Sequence, residues 1–171
     1  MFIIPDLSAA SAWFVRLAFA FTFLALASGL YFVFHRREKI FKAALFFLGG
    51  AVLLQAAAFL ALTVFFWCVP ENRFITPLNT PRGMVLALGL CVNALLLGLE
   101  LRRGTGLTFV FVLPWSLLLL AVPLFSTPPG LEAFSLQAKS ALSAVHNALF
   151  IIAYAMFINA FGASSSLLLS D

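Results

Sequence analysis

Charged residues are scarce in this chain. Asp, Glu, Lys and Arg together make up 9% of its 171 residues, against about a quarter of an average soluble domain. The longest polar segment, residues 69–83, is also short and contains several prolines and turn-forming residues. These two absences exclude a soluble globular domain, so any function must lie in apolar segments and short loops.

Motifs for common kinds of chemistry are also missing. The two cysteines, Cys68 and Cys91, have no CxxC or CxxCH spacing around them, which removes the usual signals for redox chemistry and covalent haem attachment. No nucleophile–base pair, phosphate loop or carboxylate dyad is present, so we assign no enzymatic activity. The net charge of +4 is not gathered into a basic patch, and nucleic acid is not an expected partner.

Apolar residues dominate what is present. They make up 64% of the chain, and the mean hydropathy is +1.12, which is typical of an integral protein surrounded by membrane lipid. Uninterrupted apolar runs predict an all-α, polytopic transmembrane bundle that forms a single domain over residues 1–171. Five spans are predicted: Ser11–Phe34, Ile40–Cys68, Met84–Leu99, Leu107–Phe125 and Ser140–Phe161.

Basic residues are distributed unevenly among the predicted loops. "HRREK" (35–39) and "LRRGTG" (101–106) fall on one side of the membrane, whereas Arg73, Arg82 and Lys139 on the other side are offset by Glu71 and Glu132. Because cytoplasmic loops carry an excess of Lys and Arg, we expect the first set to be cytoplasmic and the amino terminus to lie outside. The expected location is the cell inner (plasma) membrane.

Isolated polar residues in the spans are the informative positions, because a polar group in hydrocarbon needs a partner. We expect Arg16 to snorkel to the interface, with contact to an anion such as a haem propionate as the alternative. Gln55 and Asn93 are expected to hydrogen-bond neighbouring helices. Glu100 is expected to be solvated beside basic neighbours, and His35 to be hydrated in a loop.

The last predicted span, "SALSAVHNALFIIAYAMFINAF", contains His146 within an apolar helix. Helical spacing places four residues on its face: Phe150, Ala153, Tyr154 and Phe157. A neutral imidazole among aromatic and small residues suits a haem pocket, with the ring nitrogen as iron ligand. The alternative is an interhelical hydrogen bond to a serine, a carbonyl or Asn147, and the residues alone leave both interpretations open.

Two segments resemble the cytochrome c assembly family of haem-handling membrane proteins. "SALSAVHNALFIIAYAMFINAFGASSSLLL" is similar to a family segment with a serine and leucine before a histidine, then an alanine–tyrosine pair and closing leucines. "TPLNTPRGMVLALGLCVNALLLGLELRRGTGLTFVFVLP" is similar to a loop with an asparagine, a span ending in glutamate and a next span leading to a proline. The resemblance covers roughly residues 40–171.

The resemblance implies a function and partners. It implies the amino-terminal half of such a protein, which binds or guides haem in the membrane with His146 as the haem-iron ligand, and it assigns Tyr154 no chemical role. It also implies a second membrane protein chain and apocytochrome c as partners, besides membrane lipid. The family's tryptophan-rich external motif is absent, and Gln55 stands where relatives often have a histidine. The alternative function is a structural or anchoring subunit of a larger membrane complex with no haem role.

Overall fold

The structure, a computed structural model, describes residues 4–68, 76–104, 106–125 and 141–169. It contains five long α-helices: α1 (Ile4–His35), α2 (Glu38–Cys68), α3 (Pro81–Arg103), α4 (Leu107–Phe125) and α5 (Ala141–Leu168). Each includes a stretch long and apolar enough to cross a membrane. The described residues form no strand, so the predicted all-α bundle of five membrane-spanning helices is confirmed.

Several helices are longer than the predicted spans. Only Arg36 and Arg37 separate α1 from α2, and Arg36 has a positive φ of 51°. The "HRREK" and "LRR" segments were therefore wrongly predicted as loops, because basic side chains that face water at a helix end do not interrupt its backbone hydrogen bonds. At the carboxyl end, α5 continues through Gly162 and three serines to Leu168. Residues 69–75 and 126–140, which include Arg73 and Lys139, lie outside the described residues.

The two ends of α3 are fixed by local caps. Thr80 precedes Pro81, and its Oγ1 accepts a hydrogen bond from Gly83 N at 3.0 Å, which satisfies one of the free N–H groups of the first turn. At the other end, Gly104 adopts the left-handed conformation (φ 64°) and donates its N–H to Glu100 O at 2.8 Å. Both boundaries of α3 therefore follow from the residues at its ends.

Glu100 is buried and not solvated as expected. It is 1% exposed, and its Oε2 accepts a hydrogen bond from Gly106 N at 2.9 Å, just before α4 begins. A carboxylate at this position also interacts favourably with the positive end of the α4 dipole. The neighbouring Arg102 and Arg103 are exposed. The prediction failed because Glu100 was assigned to basic neighbours in sequence, whereas it faces the start of the next helix.

The helices pack as an antiparallel bundle with α3 inside and α5 at one side. α1 packs against α2 and α4, α3 packs against α2, α4 and α5, and α5 lies on α3 and α4. One end, the His35 end, joins α1 to α2 and α3 to α4. The other end, the Cys68 end, holds the start of α5 against the 3-10 helix Pro77–Asn79. α5 therefore has one packed face and one uncovered face.

Two buried apolar clusters lie at different depths in the bundle. The larger one contains Leu48, Leu96 and Leu113, from α2, α3 and α4. The second contains Ala58, Leu86 and Leu120 from the same three helices, together with Val15 of α1. Because α2 and α4 run antiparallel to α3, the second cluster is the one nearer the Cys68 end. Burial of these side chains against one another holds the helices at close distance.

Candidate functional site

The uncovered face of α5 contains a row of rings that begins with His146. His146 and Phe150 meet edge to face, with centroids 4.9 Å apart and planes at 64°. Phe150 stacks on Tyr154, with centroids 5.7 Å apart and planes at 25°. All three side chains are exposed. The helical spacing therefore brings these residues onto one face as predicted, and that face is turned outward from the bundle.

This row borders an open groove of about 590 Å³. Six residues line it: His146, Leu149, Phe150, Ala153, Tyr154 and Phe157. A smaller pocket of about 210 Å³ lies between α3 and α5 and shares Phe150 and Tyr154 with the groove, while Met84, Val85 and Leu88 supply its α3 wall. The stacked Phe150–Tyr154 pair therefore separates two apolar spaces. The polar atoms of the described groove lining side chains belong to His146 and the Tyr154 hydroxyl.

Asn147 fixes the position of His146 along the bundle. Its Nδ2 donates to Leu78 O at 2.8 Å and to Asn79 Oδ1 at 3.3 Å, so this turn of α5 is level with the 3-10 helix before α3. His146 lies five residues after the start of α5, about 7–8 Å along the helix at 1.5 Å per residue. It therefore lies near the Cys68 end, at the shallow end of the groove. The prediction that Asn147 lacks a partner was wrong.

The other histidine lies at the opposite end of the bundle. His35 stacks on Tyr31 with centroids 3.9 Å apart, and its Nδ1 is 3.2 Å from Tyr31 O. It is exposed at the end of α1, in agreement with its expected hydration. The two histidines therefore cannot act on one ligand. Within the described ranges, no three His, Cys, Asp or Glu side chains come together as a metal site.

Arg16 is exposed on α1, with its guanidinium carbon 5.0 Å from the centre of the Trp13 ring. A cation over an aromatic face is stabilised by the ring quadrupole, and Trp often lies at the membrane interface. This geometry supports the snorkelling interpretation. It does not place Arg16 inside the bundle, where the alternative contact with a haem propionate was considered.

The buried amides of α2 and α3 differ from expectation. Gln55 and Asn93 are fully buried, yet neither side chain has a hydrogen-bond partner among the described residues. The expected interhelical bond is made instead by Asn159 of α5, whose Nδ2 donates to Val92 O at 3.2 Å and to Ala155 O at 2.9 Å. Sequence reasoning missed Asn159, although an amide inside the apolar "FINAF" segment was the signal for it.

Comparison with protein-family models, curated proteins and solved structures finds no match for this chain.

Proposed function

We propose that this multi-pass membrane protein binds or guides haem in the membrane, in the manner of the cytochrome c assembly family that two of its segments resemble. His146 is the proposed axial ligand of the haem iron. The observation that carries the proposal is the position of this imidazole, exposed at one end of an apolar groove whose walls are aromatic.

The groove suits a flat, largely apolar ligand. Its volume of about 590 Å³ falls within the range of roughly 300–1,000 Å³ typical of small-molecule sites. Phe150, Tyr154 and Phe157 supply ring faces and edges against which a macrocycle can pack. The His146 imidazole supplies a nitrogen of the kind that binds haem iron. One histidine is sufficient for one axial position, so the small number of metal-ligating side chains is compatible with haem.

The surroundings of His146 favour a ligand or partner over bare lipid. Polar side chains in membrane-spanning segments rarely face lipid, and they usually mark a site or a contact. Asn147, one residue along, is already bonded to the 3-10 helix, but the His146 imidazole points toward the uncovered face of α5. Iron coordination would give this ring nitrogen the partner that lipid cannot offer.

The openness of the groove favours transfer of haem over permanent storage. A ligand on the uncovered face of α5 can be reached from the membrane or from a second chain without opening the bundle. In this proposal haem is cargo, and the protein performs no bond-making chemistry on it. The second membrane protein chain covers α5, and apocytochrome c receives the haem at the outer side of the plasma membrane.

Haem titration of the purified protein in mild detergent tests the proposal. We expect a Soret band in the wild-type protein that His146→Ala removes, and no such loss in His35→Ala, which deletes the chain's other histidine. Both variants should remain inserted, because insertion follows the apolar length of the helices. A wild-type protein that shows no Soret band with or without its co-purifying chain, or an unchanged band in His146→Ala, would contradict the proposal.

A structural or anchoring subunit is the second candidate, and it is favoured by the extent of the uncovered apolar face of α5. Leu149, Met156 and Phe157 on this helix are all more than half exposed, as expected for a helix that packs against another chain or lipid. Native mass measurement after extraction separates the candidates. A stable complex that contains no haem would favour the anchor, whereas a complex that loses haem only in His146→Ala would favour haem handling.

A further inference from the structure

Three buried polar side chains without partners lie between the two apolar clusters. Gln55, Asn93 and Ser116 come from α2, α3 and α4, and all three are fully buried. Both amide atoms of Gln55, both of Asn93 and the Ser116 hydroxyl lack hydrogen-bond partners in the described part of the chain. We call these three residues the mid-bundle polar layer.

The helix register places the three side chains at a common depth. Gln55 lies between Leu48 and Ala58 on the buried stripe of α2. Asn93 lies between Leu86 and Leu96 on α3, and Ser116 between Leu113 and Leu120 on α4. On each helix the first-named or last-named neighbour belongs to one apolar cluster and the other neighbour to the second. The mid-bundle polar layer therefore separates the two clusters.

Asn93 and Ser116 also face each other across α3 and α4. A side-chain carbon at Gly89 would lie 3.9 Å from Leu119 Cβ and 4.0 Å from Leu120 Cγ, which places these residues side by side. Because the helices are antiparallel, moving one turn from Gly89 to Asn93 on α3 corresponds to moving one turn from Leu120 to Ser116 on α4. The two side chains therefore project into the same space from opposite helices.

We infer that the mid-bundle polar layer binds internal water molecules, which bridge Gln55, Asn93 and Ser116 inside the membrane-spanning bundle. A buried water typically makes about three hydrogen bonds to polar groups that otherwise lack partners. The bridges would fix the register of α2, α3 and α4 at mid-membrane. This hydrated site is separate from the groove on α5.

The chemistry of the three side chains selects water over an ion. Each amide offers both a donor and an acceptor, and the hydroxyl offers both as well, which matches a ligand that donates and accepts. A cation would use only the oxygens, and an anion only the N–H and O–H groups. The nearest carboxylate on this face of α3, Glu100, lies two turns away and is bonded to Gly106 N, so it cannot balance the charge of a cation in the layer.

Hydroxyl-radical footprinting in ¹⁸O-labelled water tests the inference. Radiolysis of a bound internal water oxidises the side chains beside it, and the isotope identifies water as the oxygen source. Leu120, one turn from Ser116, should incorporate ¹⁸O severalfold faster than Phe109. Both are fully buried, and a phenyl ring reacts more readily with the radical than a leucyl side chain does, so the comparison is stringent.

A variant with an apolar layer provides the second measurement. Gln55→Leu, Asn93→Leu and Ser116→Ala combined should abolish the labelling of Leu120. The control Thr22→Val should retain it, because Thr22 is an equally buried polar residue whose hydroxyl is bonded to Ala18 O. Unfolding of the triple variant would raise oxidation everywhere and is thus distinguishable. Absence of labelling at Leu120 in the wild-type protein, or its persistence in a folded triple variant, would overturn the inference.

Discussion

Helices α3 and α5 have similar sequences in outline, but they occupy different environments. Both are apolar helices with scattered polar residues, yet 39% of the membrane-span window of α3 is buried and only 22% of that of α5. α3 touches three other long helices, whereas α5 lies on two. Composition alone therefore does not show whether a polar residue faces protein or lipid, and the packing partners decide it.

The polar residues of the two helices differ accordingly. On α3, Thr80 caps the first turn and Glu100 holds the backbone before α4, so these groups serve the bundle itself. On α5, Asn147 and Asn159 tie the helix to α3, but His146 and Tyr154 lie on the face that no described helix covers. A function that involves a ligand or a partner is therefore expected on α5 and not on α3.

The largest expected effect concerns which side of the membrane this face begins on. The basic residues at the His35 end predict that the Cys68 end, with His146, lies outside. Cys68 is exposed and Cys91 is half-buried, so a membrane-impermeant maleimide added to intact cells should label Cys68 only. In a Cys68→Ser background, a cysteine placed at Arg103 should react only after permeabilisation. The reverse pattern would place the groove on the cytoplasmic side.

The next effect concerns the seat of α5 on α4. A side-chain carbon at Gly162 would collide with Val112 Cγ2 and also approach Thr108 at 3.5 Å. We expect Gly162→Ala to lower the free energy of unfolding by about 1–3 kcal/mol, as overpacking usually does. The matched change on α3, Gly98→Ala, meets no atom within 4 Å and should stabilise the helix by about 0.5–1 kcal/mol. Equal effects in detergent unfolding would show that α5 is not seated on α4 in this way.

The sequence was sufficient to predict five helices, because apolar length and turn residues are local properties. The span Leu107–Phe125 was predicted at its observed bounds, since Gly104, Gly106 and the prolines near its ends mark the limits of an apolar run. The shared face of His146, Phe150, Tyr154 and Phe157 was also predictable, because helical periodicity fixes which residues lie on one side.

The surroundings of individual polar residues could not be predicted from local pattern. Glu100 was expected to be solvated, but it is buried against Gly106. Asn147 was expected to lack a partner, but it reaches the 3-10 helix that lies far away in sequence. Both outcomes depend on which helices are neighbours, and apolar spans of similar hydropathy carry little information about their neighbours. The outward direction of the His146 face follows from the same packing.

A smaller effect is expected from the two asparagines that join α5 to α3. Asn147→Leu and Asn159→Leu should each lower the free energy of unfolding by about 0.6–1.7 kcal/mol, the range for hydrogen bonds between membrane helices. Only Asn147→Leu should also weaken haem binding, because Asn147 holds the turn that carries His146. Haem titration beside detergent unfolding separates the two effects. Equal loss of haem affinity in both variants would mean that His146 depends on the whole seat of α5 and not on this turn.

The smallest expected change in stability comes from the wall of the groove. Phe157 on α5 and Phe46 on α2 are 70% and 71% exposed, so replacing either with alanine should change the free energy of unfolding by no more than about 0.5 kcal/mol. Only Phe157 lines the groove. An aromatic contact contributes about 0.5–1.5 kcal/mol, so Phe157→Ala should weaken haem binding roughly 2- to 10-fold, whereas Phe46→Ala should leave it unchanged. Because the two side chains are matched in type and exposure, a difference in haem affinity would be caused by the groove. Equal affinities in the two variants would place haem elsewhere on the protein and leave the uncovered face of α5 to lipid or to another chain.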